Sequence, residues 1–393
     1  MAKKTRSEKG ETRDKLIDKV YEVINDGKGE YEAYLLDEDE PASEIVDWVS
    51  TGDPILDMSI SNRKNGGIPV GRVTEVTGLE SSGKSLLIGH IIAETQKRGG
   101  IGVIIDTEYA TDKDFLQAIG VDLSKLVYVE THLIENVFQI IENIIATVRK
   151  TDENKLITIA VDSVMGASDE SEDEADWGKA GFATQKARVL GKAMRKITSS
   201  IANHRIALIF TNQLRVRLGI AFGDPYTTSG GKAIPFASSL RIRLQQLNKI
   251  KTKDRVAGIK TKCTVKKSRL GSMYNECTFD IYFDRGIDTL TTWFDMGKKL
   301  GLIVPGKKLE DETKPEGPKN KMKVVKGWFM LAGDEEQSRF QGSSFKSTIL
   351  DNEVKKQMLY DGICDSVLLK YRDPNDLEPI DKSEIVYTDG EDD

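Results

Sequence analysis

The chain has 393 residues, longer than one compact domain usually runs, so a large core with smaller satellite domains is expected. With 38% hydrophobic and 31% charged residues, a polar opening (MAKKTRSEKGETRDK) and no run near the ~20 apolar residues of a membrane helix, the composition predicts a cytoplasmic protein with no membrane association. Three widely spaced cysteines and three scattered histidines exclude a disulfide framework, a zinc cage and a histidine-based triad.

The net charge of −6 is unevenly spread: residues 372–393 hold nine acids against Arg372 and Lys382, a net of −7, which leaves +1 for the rest. Such a tail either shields a basic surface or is a disordered solubilising segment. In chain order, residues 11–26 place Ile17, Val20, Tyr21 and Ile24 on one helical face, and the acidic stretch to about Asp47 reads as a connector. Strand candidates GRVTEV (71–76), IGVIIDTE (101–108), LITIAVDS (156–163) and IALIFTNQ (206–213) then alternate with helical patterns near 84–97, 135–149 and 184–204. Apolar runs separated by helices predict a buried parallel sheet with helices on both faces. Strands at 239–247, 261–269 and 277–283 follow, and a lysine-rich segment with a smaller mixed region fills 286–370.

The loop GLESSGKS, from Gly78 to Ser85, follows a strand and opens a helix. In that context the backbone N–H groups of a phosphate loop (Gly78, Glu80, Ser81, Ser82, Gly83, with Leu86 at the helix start) hold phosphates on the helix N-terminus. Lys84 then offsets charge on the β- and γ-phosphates of ATP, and Ser85 donates its hydroxyl oxygen to Mg²⁺. Asp162 closes one strand, where it can hold the magnesium shell opposite Ser85, and Glu108 closes another, where it can activate a water in line with the γ-phosphate. Gln213 ends a further strand within reach of the γ-phosphate. Together these residues favour hydrolysis over mere binding.

A nucleic-acid surface has its own signals. Arg188, Lys192 and Arg195 recur at i, i+4 and i+7, on one helix face, which fits a phosphate backbone or a merely solvated basic face. The loop RVRLGIAFGDPYTTSGG sets Arg215 and Arg217 beside Leu218, Ile220 and Phe222 among glycines, a composition for phosphate approach and base wedging or for docking a partner. Residues 298–326 hold nine lysines against four acids, either a basic surface that captures duplex DNA or a lysine-rich soluble loop.

The motifs STGDPILD, GRVTEVTGLESSGKS, IIDTEYATD, AVDSV, GKAMRKI and IFTNQLRVRLGIAFGDPYTTSGGKA, in their order and spacing, resemble the bacterial RecA recombinase family, phage members included. The likeness runs from about Trp48 to Asp288, with a fainter echo to about residue 350. It implies an α/β fold: a RecA-type P-loop ATPase core, a mostly parallel sheet flanked by helices, at 48–288. Around it would lie an N-terminal helical segment for subunit contact at 1–47, a smaller α+β C-terminal domain at 289–371 and an acidic disordered tail at 372–393. Lys84, Ser85, Asp162, Glu108 and Gln213 match the family's nucleotide-site residues. Asp112 matches an acid near the adenine amino group, and Phe115 stands where a tyrosine usually packs on adenine. The loop 215–231 matches the second DNA-binding loop, closed by Gly230 and Gly231, and Lys267 and Arg269 match two lysines that reach a neighbour's ATP. Departures are six acids between Asp169 and Asp176 in the first DNA loop, and Pro235-Phe236 where a lysine is usual. The implied function is an ATP-dependent recombinase in DNA repair: a helical homo-filament on single-stranded DNA that pairs with homologous double-stranded DNA. A RecA-fold ring motor, or an ATP-gated DNA-binding filament without strand exchange, shares the same core.

Overall fold

The computed structural model describes residues 15–26, 33–35, 45, 47–152, 154–168, 183–202, 204–216, 226–228, 231–252, 255–271, 275–307, 324–334 and 338–369. They fall in two units, Met1–Val46 and Asp47–Asp393. In the first, α1 (Lys15–Asp26) leaves Ile17, Val20 and Val23 exposed. Asn25 ties the end of this helix to Ala33 by two hydrogen bonds, of 2.9 and 3.2 Å.

The second unit opens with β1 (Trp48–Val49), α2 (Pro54–Ser61) and β2 (Ile68–Pro69). Asp53 caps α2 by accepting from the Ile55 and Leu56 N–H groups, and Pro54 supplies the preset φ of a first helical turn. Then come β3 (Val73–Gly78), α3 (Lys84–Lys97), β4 (Ile101–Asp106), α4 (Lys113–Ala118), β5 (Leu126–Glu130), α5 (Ile134–Thr151) and β6 (Ile157–Asp162). They are followed by α6 (Ala183–Ile201), β7 (Ile206–Val216), β8 (Tyr226–Thr228), α7 (Ala233–Ala237), β9 (Leu240–Thr252), β10 (Arg255–Ser268), β11 (Glu276–Tyr282) and β12 (Gly286–Asp288).

The main sheet has the spatial order β12-β11-β10-β9-β3-β7-β6-β4-β5, with β8 paired to β7. From β9 through β5 its neighbours are parallel, and from β9 to β12 they are antiparallel. The middle strands are covered on both faces, which is why VTEVTG and ITIAVD read as unbroken β-prone runs. One core packs α3 and the α2 region against the sheet, including Leu87, Ile91 and Phe279. The other packs α5 and α6, with Phe138, Leu190, Ile197 and Phe210.

Several boundaries differ from expectation. The strand expected to reach residue 108 stops at Asp106, whose carboxylate gathers the following loop. The strand expected at 239–247 runs to Thr252, and its partner starts at Arg255, so the two form a long hairpin. Strand β5, at the sheet's parallel edge, is not among the expected strands.

Beyond the sheet lie α8 (Thr289–Lys299), the three-stranded β13 (Ile303–Lys307), β14 (Val324–Leu331) and β15 (Arg339–Gln341), and α9 (Glu353–Val367). Phe294 meets Phe329 and Phe345 edge-on at 5.0 and 5.2 Å, and Trp293 packs on Tyr360 at 5.7 Å. Such pairs add about 0.5–1.5 kcal/mol beyond their burial. No helix among the described residues is long and apolar enough to cross a membrane. The segments 169–176 and 372–393, the latter expected to be disordered, lie outside the described residues.

Candidate nucleotide and nucleic-acid site

The parallel register gathers the predicted nucleotide residues at one end of the sheet. Gly78 at the end of β3 lies level with Gln213 of β7, and Asp106 of β4 lies level with Asp162 of β6. The loop from Gly78 to Gly83 therefore emerges at the carboxyl ends of the strands, where open α/β sheets hold ligands. Two glycines are required there. Gly83 precedes α3 at φ +95°, and a Cβ on Gly78 would stand 2.3 Å from Ser82 Oγ and 2.7 Å from the Leu244 carbonyl oxygen. Ser81 also has positive φ, at 58°. The chain thus bends so that its N–H groups and the α3 N-terminus face one cavity.

That cavity, of about 650 Å³, is lined by the loop from Ser81 to Leu86, by Phe115 and by the β9–β10 hairpin. Ser82 Oγ is buried there without a hydrogen-bond partner, a polar atom suited to a phosphate oxygen. Lys84 is buried and donates from Nζ to the carbonyls of Gly78 (3.1 Å) and Leu79 (2.8 Å). Burial lowers its pKa, against the pull of Asp162, Glu108 and Glu80.

Asp162 accepts hydrogen bonds from Ser85 and from Thr211 Oγ1, the latter at 2.5 Å. Burial raises its pKa, and the Glu108 and Asp106 carboxylates push the same way. A divalent cation beside Ser85 would offset that accumulated charge, so the donor set of one hydroxyl and one carboxylate fits a hard, oxygen-seeking ion. Glu108 shares one oxygen, Oε1, between the Ser163 hydroxyl and Gln213 Nε2, which donates at 3.3 Å. Glu108, Asp162 and Ser85 line a second, smaller cavity with Asp112 and Phe115. Asp112 caps α4 through the N–H groups of Asp114 (2.9 Å) and Phe115 (3.2 Å), which fixes where Phe115 stands. The structure therefore brings together Lys84, Ser85, Glu108, Asp112, Phe115, Asp162 and Gln213.

Lys267 and Arg269 are elsewhere. Lys267 pairs with Arg241 near the start of β9, which lies level with Glu75, three residues before Gly78 on β3. Their side chains donate to α7 carbonyls: Lys267 to Pro235 (2.7 Å) and Phe236 (3.1 Å), and Arg269 to Phe236 (3.1 Å). Neither side chain lines the cavity of its own chain's phosphate loop. The exposed Phe236 stands beside them.

Of the predicted DNA-binding residues, Arg188, Lys192 and Arg195 are exposed along one face of α6, opposite buried Leu190, Met194 and Ile197. Arg215 is exposed on β7 opposite Thr227, and Gly231 has φ +71°, a left-handed turn that favours glycine. Arg217, Leu218, Ile220 and Gly230 lie outside the described residues.

Sequence reasoning missed Asp106. Its Oδ1 accepts from the N–H groups of Glu108 and Tyr109, both at 2.9 Å. Its Oδ2 accepts from Ala110 N, Thr111 N, Thr111 Oγ1 and Tyr128 Oη, at 2.7 to 3.1 Å. Burial opposes ionisation of Asp106, yet these bonds hold its carboxyl below the usual range. One carboxylate thus shapes the loop that presents Glu108 and Asp112. An aspartate between an apolar strand and a Thr-Glu step was the available signal. Phe283, half exposed on the rim of the larger cavity, was missed as well.

A parallel sheet with a phosphate loop, a hydroxyl–carboxylate pair and a glutamate two residues past a strand end defines the class of P-loop ATPases. Comparison with known proteins narrows this. The RecA N-terminal domain family model matches residues 15–288. The chain is 34% identical over 291 residues to Protein RecA of Paracoccus denitrificans, covering 74% of this chain and 79% of that one. It is 37% identical to Protein RecA of Ehrlichia canis (67% and 71% covered) and 36% identical to that of Chlorobium chlorochromatii (67% and 72%). The chain belongs to the RecA family, and its function is that of a recombinase in homologous recombination and DNA repair.

Proposed function

We propose that this recombinase binds ATP with Mg²⁺ at the Gly78–Ser85 loop and hydrolyses it when assembled as a helical filament on single-stranded DNA. The filament pairs that strand with homologous duplex and exchanges strands. Backbone N–H groups of the loop and the Lys84 ammonium would hold the phosphates, and Ser85 and Asp162 would hold the cation. When bound, the cation withdraws charge from the phosphoryl oxygens. Glu108 orients the attacking water and takes its proton at a carboxylate oxygen, while Ser163 and Gln213 fix the carboxylate's direction. Lys267 and Arg269 act on a neighbouring copy's nucleotide, as an arginine supplied in trans does. Arg188, Arg195 and Arg215, with Arg217, Leu218, Ile220, Gly230 and Gly231, form the DNA contacts. Residues 1–47 link neighbouring subunits, and 289–371 form the small domain that meets duplex DNA.

One observation carries the coupling of DNA to hydrolysis. Gln213 donates to Glu108, and Arg215 lies two residues further along the same strand, so both side chains leave one face of it. A phosphate that pulls on Arg215 therefore acts on the strand that holds the glutamate. The test is steady-state ATPase with and without single-stranded DNA, beside a strand-exchange assay with homologous and heterologous duplex. DNA-stimulated turnover with homology-dependent exchange is expected. Unwinding by discrete hexamers, or DNA binding with no turnover, would refute the reading.

A further inference from the structure

Strand β9 pairs with β3 only as far as Leu244, which lies level with Gly78. Beyond it, β9 pairs only with β10, and the hairpin continues to Thr252 and Arg255, roughly 25 Å at about 3.3 Å per residue, with β11 beside β10 as far as Gly258. The hairpin thus stands beside the phosphate loop as a wall. Its pairing shifts at two places beyond Leu244, and the one nearer the phosphate loop matters here: Gln246 faces Thr261, but Asn248 faces Lys260, so Leu247 is an extra residue. A bulge of this kind reverses the alternation of every side chain beyond it. Without it Gln246 and Asn248 would share a face; with it Gln246 shares its face with Lys249, which pairs with Ile259. Gln246, Lys249 and Ile259 all line the 650 Å³ cavity with the phosphate loop.

The charge of the cavity gives the bulge a purpose. Among the residues lining the two cavities, Asp106, Glu108, Asp112 and Asp162 are acids, and the cations are Lys84 and Lys249. A polyanionic nucleotide added to four carboxylates needs more than one compensating cation. We propose that Lys249, turned into the cavity by the Leu247 bulge, is a second nucleotide-binding cation that this chain supplies to the phosphates from the hairpin side. The inference rests on the phosphate-loop reading above and extends it to a wall of the site that carries no loop motif. Lys249 is exposed, so its contribution is modest and screened by salt, about tenfold in affinity at low ionic strength.

The test is equilibrium binding of ATP, ADP and adenosine to the full chain without DNA, at two salt concentrations. It compares wild type with Lys249→Ala, Lys249→Arg and Lys249→Glu, and uses Lys84→Ala as control. Alanine is expected to weaken ATP and ADP about tenfold and adenosine less than twofold, arginine to restore both, and glutamate to weaken them beyond alanine. Matching thermal midpoints show that the variants are folded. Unchanged ATP affinity in the alanine and glutamate variants would overturn the proposal, as would an equal loss for adenosine, which has no phosphate. A loss of DNA affinity with ATP binding intact would give the hairpin to nucleic acid instead. Wild-type ATP affinity in Lys84→Ala would sink the phosphate-loop reading itself, a result separable from any in the Lys249 series.

Discussion

Replacing Asp106 by asparagine removes charge from the centre of the loop that carries Glu108, with almost no change of shape. The carboxylate accepts six hydrogen bonds, two on Oδ1 and four on Oδ2. An amide serves only one of these sets. With its oxygen toward the four donors, its NH₂ faces the N–H groups of Glu108 and Tyr109, and two bonds become donor–donor contacts. Hydrogen bonds to a charged group are worth about 1.5–3 kcal/mol each, so the gross loss is about 3–6 kcal/mol. Glu108 and Tyr109 are exposed, and water recovers part of it, leaving about 2–4 kcal/mol. Urea unfolding should show a lower midpoint with an unchanged slope. Single-stranded-DNA-stimulated ATPase should fall at least about tenfold, because the glutamate that orients water is no longer held. Coincident unfolding curves together with wild-type turnover would refute the account of Asp106 as organiser of this loop.

Glu108→Gln keeps the acceptor for Ser163 and Gln213 but not the basicity; ATP binding should persist while kcat falls by about 10²–10⁴, measured by single-turnover hydrolysis. Lys267→Ala with Arg269→Ala should spare ATP binding by the isolated chain but abolish DNA-stimulated turnover, and mixing with Lys84→Ala subunits should restore part of it; no rescue in mixtures shown to co-assemble would exclude a shared site. Burial holds the His90 imidazole at about 4, well under its usual 6.5, while its Nε2 accepts from Ile287 N at 3.0 Å. The unfolded chain therefore binds a proton that the folded chain refuses, and stability drops as pH falls from 6.5 to about 4, by about 3 kcal/mol at ~1.4 kcal/mol per pH unit. Burial acts oppositely on Asp53 and Asp57, raised to about 6 and about 7, whose contribution is lost as pH rises through those values, so His90→Gln against wild type isolates the histidine's slope in urea titrations. Identical slopes would count against its burial as a neutral ring.

The fold was most legible where burial is two-sided. Strands β4, β6 and β7 spell largely apolar runs because both their faces are buried, and α3 spans 84–97 as expected because glycines bound it at both ends. Strand β5 escaped notice because it lies at the sheet edge with Val127 exposed and no fully buried residue, so five residues of mixed polarity carry little pattern. The β9–β10 hairpin was read too short for a related reason: most of β9 past Leu244 is exposed, and bulges break the alternation that marks a strand.

The site divides along the same line. Residues that contact a ligand through a side chain at a fixed offset, such as Lys84 and Ser85, are legible because the loop's spacing encodes their geometry. Residues that act on backbone leave no spacing to read. Asp106 reaches N–H groups up to five positions on, and its place between an apolar strand and a Thr-Glu step marks a strand end but not the loop it gathers. Register is equally silent: that Gln213 lies level with Gly78, while Lys267 lies level with Glu75, follows from strand order and pairing alone. A sequence can name Lys267 and Arg269 as cations, but only the sheet shows that Lys267 stands level with Glu75 rather than with Gly78, and that both side chains turn onto the carbonyls at Pro235 and Phe236. It is this placement that the proposed service to a second subunit's nucleotide rests on.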